Sequence, residues 1–400
     1  MVAYAAVFAV ACGVTLAMTP LVGRFARRVG AVVRPDDRRV HDVPTPTLGG
    51  LAMLAGFVAA MALASQLDEF DPVFAGSTEP IGVVLAAAVI FGVGLIDDLR
   101  EVSAPARLAG MVLAGGILSL AGVGILFFRV PFGDLIVLSP DLSALLTILW
   151  VVGMANAVNL IDGLDGLAAG IVAIAAGAFL LYAERLTDVG LLDSTNISPL
   201  LSLIVLGMCL GFLPHNFNPA KIFMGDGGAL MLGLLLAAST MAVGGRTSEE
   251  FSGQVYFFFA PLFIPLVILG VPIIDTLFAI VRRAVRRKGV ATADKDHLHH
   301  RLMRLGHGQR RSVLILWTWT ALLSAFVLYP AYTGKGDAIV PFAVAALGLA
   351  LYTLFHPGLR RGAPADEDED AAEAAAEGET EAEAAPHLRV VEDDEDRRTG

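Results

Sequence analysis

The stretch Asn156–Gly170, NAVNLIDGLDGLAAG, sets two asparagines (156 and 159) and two aspartates (162 and 165) between long apolar segments. Ionisable groups beside hydrocarbon are costly, so such a cluster marks a functional site by default. One aspartate would be enough to cap a helix; two aspartates and two asparagines within ten residues exceed that need. Four other polar clusters interrupt apolar sequence: His41–Gly50 (HDVPTPTLGG), Asp97-Asp98, His215–Gly228 (HNFNPAKIFMGDGG) and Asp294–His300 (DKDHLHH). Asp226 has glycine on both sides, which lets a ligand approach the backbone; the simpler reading is a helix start capped by Asp226. Asp97 and Asp98 end an apolar run, where a helix C-terminus disfavours anions, so a metal or basic groups should offset them. Carboxylate and amide oxygens suit Mg²⁺ shared with substrate phosphates. The histidines among Asp294, Lys295, Asp296, Arg301 and Arg304 suit an anion-binding surface better than a zinc site, which wants wider spacing. Phe223 reads either as interface packing or as a stacking platform, and its isolation favours packing.

The elements that position these clusters are membrane helices. The chain has 400 residues, 56% apolar and only 17% charged, with mean hydropathy +0.70. Its apolar runs are about 15–25 residues long, enough to cross ~30 Å of hydrocarbon. Eleven candidate spans result, among them Val2–Val22, Leu51–Leu67, Ile81–Ile96, Ala106–Phe127, Leu142–Val158, Leu164–Leu181 and Val255–Val281. The first lacks a basic leader and is followed by Arg24, Arg27 and Arg28, as a retained helix would be. Ser198-Pro199 reads as a cap and first turn of the seventh span, and Phe128–Asp141 as a small hairpin. Cys12 and Cys209 lie inside apolar runs, so neither a disulfide framework nor a metal knuckle is implied.

Arginine and lysine concentrate in the odd-numbered loops. The positive-inside bias therefore puts the N-terminus outside, the C-terminus in the cytoplasm and all five polar clusters on the cytoplasmic face. An all-α polytopic membrane domain over residues 1–356 with one composite cytoplasmic site is expected, followed by an acidic, disordered tail over 357–400. From Ala363 onward the tail holds fifteen acidic residues against three arginines, so the net charge of −11 belongs to it and not to the working part. Clustered carboxylates, basic residues and a membrane face suggest phosphoryl chemistry on a lipid. An ion-coupled transporter is the rival class, but its site would lie near the midplane between inverted repeats, and none is evident.

The motifs PTPTLGG, GLIDDL, NAVNLIDGLDGLAAG, FMGDGG and DHLHHRL, in that order between about Arg38 and Leu305, resemble the polyprenyl-phosphate N-acetylhexosamine-1-phosphate transferases (glycosyltransferase family 4). The bacterial undecaprenyl-phosphate N-acetylglucosamine-1-phosphate transferases are the nearest branch. The resemblance implies that a polyprenyl phosphate (undecaprenyl or decaprenyl) attacks the β-phosphorus of UDP-N-acetylglucosamine, giving a lipid-diphosphate sugar and UMP. It implies Mg²⁺, with Mn²⁺ as a substitute, held by Asp226 and Asn159. Asp97, Asp98 and Asp162 would be catalytic, the first two orienting or deprotonating the lipid phosphate. Arg107, Asp165, Asn216, Phe223, His297, His299, His300 and Arg301 would bind substrate. Among these Asp165 takes the uracil imide proton, Phe223 stacks on the ring (against the packing preference above) and Asn216 sits beside it. The partners implied are the nucleotide sugar, polyprenyl phosphate and membrane lipid, with a homodimer allowed and no nucleic acid. The expected location is a bacterial cytoplasmic membrane, and the product would start a cell-envelope glycan. Arg107 stands where lysine is usual and Met111 where glutamine is common. The sequence HLHHRLMRLGHGQR follows the N-acetylglucosamine pattern; phospho-N-acetylmuramoyl-pentapeptide transferase is the alternative with the same chemistry.

Overall fold

The computed structural model describes residues 2–33, 44–100, 102–129, 135–244, 305–333 and 339–355, with isolated positions between 270 and 303. Met1–Phe355 form one compact unit, and the expected tail lies outside the described residues. Ten of the eleven expected spans coincide with helices. These are α1 (Val2–Val29), α2 (Gly50–Ala64), α4 (Glu79–Leu99), α5 (Ala104–Leu120), α6 (Pro140–Ile161), α7 (Leu167–Asp188), α8 (Ser198–Asn216), α9 (Gly225–Gly244), α10 (Gly308–Thr333) and α11 (Ile339–Phe355). A four-residue α3 (Asp71–Phe74) lies between α2 and α4. Among the described residues, seven of these helices are long and apolar enough to cross a membrane. Large apolar side chains such as Ile81, Leu85, Leu113, Leu145 and Val344 are exposed on their outer faces. The chain is an all-α, multi-pass membrane protein. The ninth expected span, Val255–Val281, falls almost wholly outside the described residues.

Several boundaries differ from the sequence expectation for local reasons. The second run stops at Ala64, and the chain then bends by 92° into Asp68–Phe74. The fourth stops at Leu120, because the chain next enters the expected hairpin: β3 (Phe127–Arg129) pairs antiparallel with β4 (Leu135–Val137). A second short pair joins β1 (Val32–Val33) to β2 (Thr45–Pro46). Asn159 proves helical, because α6 runs past the expected end at Val158 to Ile161. The Asn156 amide donates back to Val152 O at 2.8 Å, and so does not end α6. Ser198 is not the cap of α8; its own N–H donates to the side chain of Asn196 at 2.9 Å. Ser139 does cap α6, accepting from Leu142 N, with Pro140 in the first turn.

Helix α9 is the axis of the bundle, with nearly all of its residues buried. It is hydrophobic on every side, which suits a helix surrounded by others. It packs chiefly on α4 and α6, with α8, α2 and α7 completing the ring, while α1 and α10 pack outside on α8 and α7. Close approach is made through glycine, the usual way membrane helices bring backbones together. A Cβ on Gly94 of α4 would lie 2.5 Å from the backbone of Gly227, and one on Gly50 of α2 would lie 2.4 Å from Gly228 N. These two contacts clamp the first turn of α9 between α2 and α4. We therefore expect Gly94→Ala to cost about 1–3 kcal/mol through overpacking. A lower melting temperature in detergent, with activity lost alongside, is the result to look for.

Candidate active site

The N-terminus of α9 is built by three segments distant in sequence. Gly225 adopts φ +74°, a conformation that favours glycine, and a Cβ there would strike the Asp98 carboxylate at 2.5 Å. The motif PTPTLGG supports the same turn with its backbone. Gly49 N donates to Phe223 O (2.9 Å), Gly50 N to Met224 O (2.8 Å), and Phe223 N to Pro46 O (2.9 Å). The first amides of α2, which no helical carbonyl can reach, are satisfied in this way.

Asp98 explains how an anion tolerates a helix C-terminus: it sits on another helix's N-terminus. Its Oδ1 accepts the N–H of Asp226 at 2.8 Å and its Oδ2 that of Gly227 at 3.1 Å. The cap of α9 is thus Asp98 and not Asp226, which lies within the first turn. Asp97 turns the other way. Its Oδ1 accepts Val102 N at 2.9 Å, and its Oδ2 pairs with Arg107 at 2.9 Å.

Arg107, near the start of α5, ties the cluster together. One terminal nitrogen pairs with Asp97; the other donates to Asn159 Oδ1 and lies 3.4 Å from Asp226 Oδ2. Asn159 Nδ2 donates to Asp226 Oδ1 at 2.6 Å. Four helices therefore meet through Asp97, Asp98, Arg107, Asn159 and Asp226. Lysine, with one ammonium in place of a planar fork, could not make these bonds together. Arg107→Lys is expected to keep the charge and lose about tenfold or more in rate; steady-state kinetics on purified variants check it. The other departure also has a counterpart in the structure: Met111 Sδ accepts the Asn156 amide at 3.3 Å.

Asp162 follows the last residue of α6. Enclosure by the surrounding protein, then the like charges of Asp226, Asp98 and Asp165, push its carboxyl well above the ordinary range. Among the described residues, Asp97, Asp98 and Asp226 are met by one cation, Arg107, and by the positive end of α9. This excess of negative charge, with Asp226 still 34% exposed, suits an incoming divalent cation. Among the described residues no three His, Cys, Asp or Glu groups are near enough to form a metal cage. Mg²⁺ does not need one, since it keeps waters and takes substrate phosphate oxygens.

Asp165 stands a short distance along the same loop and is 8% exposed. It does not cap α7; Gly166 does, at φ +77°, with its N–H given to Asn216 Oδ1 at 3.1 Å. Asp165 Oδ2 accepts Asn218 Nδ2 at 2.9 Å and Ala220 N at 3.0 Å. Asn216 is buried, with its amide donating to Ile222 O at 3.0 Å, so both ends of its side chain hold backbone. Phe223 is half-buried beside the Asp226 turn. His297, His299, His300 and Arg301 lie outside the described residues. Sequence reasoning missed Asn218, whose amide reaches Asp165 from the segment after α8, and Gln309 and Arg310 of α10, which hold that amide. Asn218 lay inside a quoted motif, but only the fold shows which carboxylate it faces.

Among the described residues, the multi-pass bundle gathers carboxylates and an arginine at the ends of four helices, an arrangement suited to a charged ligand at the membrane face. The chain belongs to glycosyl transferase family 4, whose model matches residues 80–244, and is a transferase. It is 40% identical over 361 residues to decaprenyl-phosphate N-acetylglucosaminephosphotransferase of Mycobacterium tuberculosis, covering 87% of each chain. It is 37% identical over 310 residues to the probable undecaprenyl-phosphate N-acetylglucosaminyl 1-phosphate transferase of Bacillus subtilis, covering 78% of this chain and 80% of the other. A phospho-N-acetylmuramoyl-pentapeptide-transferase from Desulforudis audaxviator is 36% identical over 340 residues, with 79% and 94% covered.

Proposed function

We propose that this protein transfers N-acetylglucosamine-1-phosphate from UDP-N-acetylglucosamine to a polyprenyl phosphate, giving polyprenyl-diphospho-N-acetylglucosamine and UMP. The observation that carries this reading is the meeting of Asp97, Arg107, Asn159 and Asp226 at the Asp98-capped start of α9. The two N-acetylglucosamine-phosphate transferases above support the choice of sugar. The enzyme would sit in a bacterial cytoplasmic membrane with eleven spans, N-terminus outside and the site facing cytosolic nucleotide sugar.

In this reading an oxygen of the lipid phosphate attacks the β-phosphorus, and the bond to the UMP oxygen breaks, UMP leaving with the electron pair. Asp226 and Asn159 would hold Mg²⁺, which supplies charge neutralisation for the pyrophosphate when bound. Arg107, already aligned by Asp97 and Asn159, would receive phosphate oxygens without reorganising. Asp98 is committed to two backbone amides, so its part is to fix the turn that carries Asp226. Asp162 would take the proton of the lipid phosphate, and Asp97, paired with Arg107, would orient it. Asp165 Oδ1, which has no hydrogen-bond partner among the described residues, would accept the uracil imide proton beside Phe223. Asn216 would act by holding that loop.

The test uses purified protein, polyprenyl phosphate, Mg²⁺ and separately labelled UDP-sugars, following UMP release and label in lipid. Magnesium-dependent transfer from UDP-N-acetylglucosamine, without turnover of the muramoyl-pentapeptide nucleotide, is expected. Absence of UMP with every UDP-sugar would overturn the reading and return attention to ion-dependent flux in liposomes.

A further inference from the structure

Asp165 is held by a chain of side chains that begins on α10. We propose that Arg310 and Gln309 are positioning residues for the nucleotide end of the site, acting through Asn218. The inference rests on the nucleotide-transferase reading above.

Asn218 Oδ1 accepts the Nε–H of Arg310 at 3.0 Å, and Asn218 Nδ2 donates both to Gln309 Oε1 and to Asp165 Oδ2. Clamped at both ends, the amide keeps one orientation and presents its N–H₂ to Asp165. Without Arg310 and Gln309, an asparagine on a connecting loop would rotate freely and lose that alignment. Because Oδ2 is filled by Asn218 and Ala220 N, Oδ1 is left as the acceptor for a ligand donor. Oδ1 is not among the fully buried unpartnered atoms, so a ligand can reach it, and a planar N–H donor such as an imide suits a carboxylate oxygen there.

The position of α10 itself is fixed two turns further along. Residues 310 and 317 share one helix face. Trp317 Nε1 donates to Leu167 O at 3.3 Å, and its ring fills the space where a Cβ on Gly170 would come within 1.9 Å. The ring also tilts against Phe217 at 5.7 Å. Helix α10 is thus keyed to the start of α7 and to the 217–220 segment, which sets the reach of Gln309 and Arg310.

The experiment compares wild type with Asn218→Ala, Arg310→Ala, Arg310→Lys and the Asn218→Ala/Arg310→Ala pair, all as full chains. Equilibrium binding of UMP, KM for UDP-N-acetylglucosamine, KM for lipid phosphate and melting temperature are read. Asn218→Ala is expected to weaken UMP binding and raise the nucleotide-sugar KM about tenfold, and Arg310→Ala about threefold. The lipid KM and melting temperature should hold, Arg310→Lys should recover part of the loss, and the pair should be no worse than Asn218→Ala alone. Unchanged UMP binding in Asn218→Ala, additive losses in the pair, or both KM values moving with a lower melting temperature would each overturn the proposal. Wild type that binds UMP but turns over no UDP-sugar, with binding weakened in the variants, would sink the transferase reading and keep this one. Wild type that turns over UDP-N-acetylglucosamine with variants indistinguishable from it would do the reverse. Wild type that binds no uridine nucleotide would overturn both.

Discussion

Asp226→Asn is expected to lower the transfer rate by about 10²–10³-fold or more while the protein stays folded in detergent. The carboxylate at this position is the more exposed of the two that pair with Arg107, and in the proposed reading it holds the metal that balances substrate charge. Its removal leaves Arg107 paired with Asp97 at 2.9 Å and Asn159 still in reach of Arg107, so the helices keep their ties. An asparagine also retains one oxygen to accept from Asn159. The melting temperature should therefore move little, and UMP release under saturating substrate should fall steeply. Wild-type rates in this variant would remove Asp226 from the metal site.

Asp98→Asn is expected to behave differently, losing rate and stability together. The Asp98 carboxylate receives two backbone N–H groups at the start of the most buried helix. An amide can accept from one of them only, and turns its own N–H₂ toward the other. Hydrogen bonds to a charged group are worth about 1.5–3 kcal/mol each, and the anion at the helix start adds a few tenths to 1 kcal/mol. A loss on the order of 3 kcal/mol is the expected scale, seen as a clear drop in melting temperature beside lost activity. Side by side, the two variants separate a carboxylate that meets substrate from one that builds the site. An unchanged melting temperature for Asp98→Asn would show that the cap contributes little, and would put Asp98 back among the groups that touch phosphate.

Much of this protein could be read from residue order. Runs of apolar residues fix membrane helices because backbone polar groups in hydrocarbon must bond within their own segment. For that reason the spans emerged with only their ends displaced. Asp97, Asp98, Asn159, Asp162 and Asp226 could be picked out because charge beside hydrocarbon has few structural uses, and the motifs containing them identify the family. Helix ends were less legible. Asn159 looks like a loop residue by type, yet a tertiary partner absorbs its amide and α6 runs through it. Ser198 looks like a cap, yet Asn196 is nearer the helix's unpaired amide.

What only the tertiary structure decided is the division of labour among neighbours. Asp97 and Asp98 are adjacent and chemically identical, but successive residues on a helix point about 100° apart. One therefore meets Arg107 of α5 and the other the amides of α9. Likewise PTPTLGG reads as a site motif, whereas its backbone supports the Asp226 turn through Phe223 and Met224. The sequence by itself determined a multi-pass membrane enzyme and most of the residues at its centre, because burial cost constrains residue type. Which carboxylate is free, and which is spent on holding another in place, depends on hydrogen bonds between segments up to 129 residues apart. No local pattern encodes those.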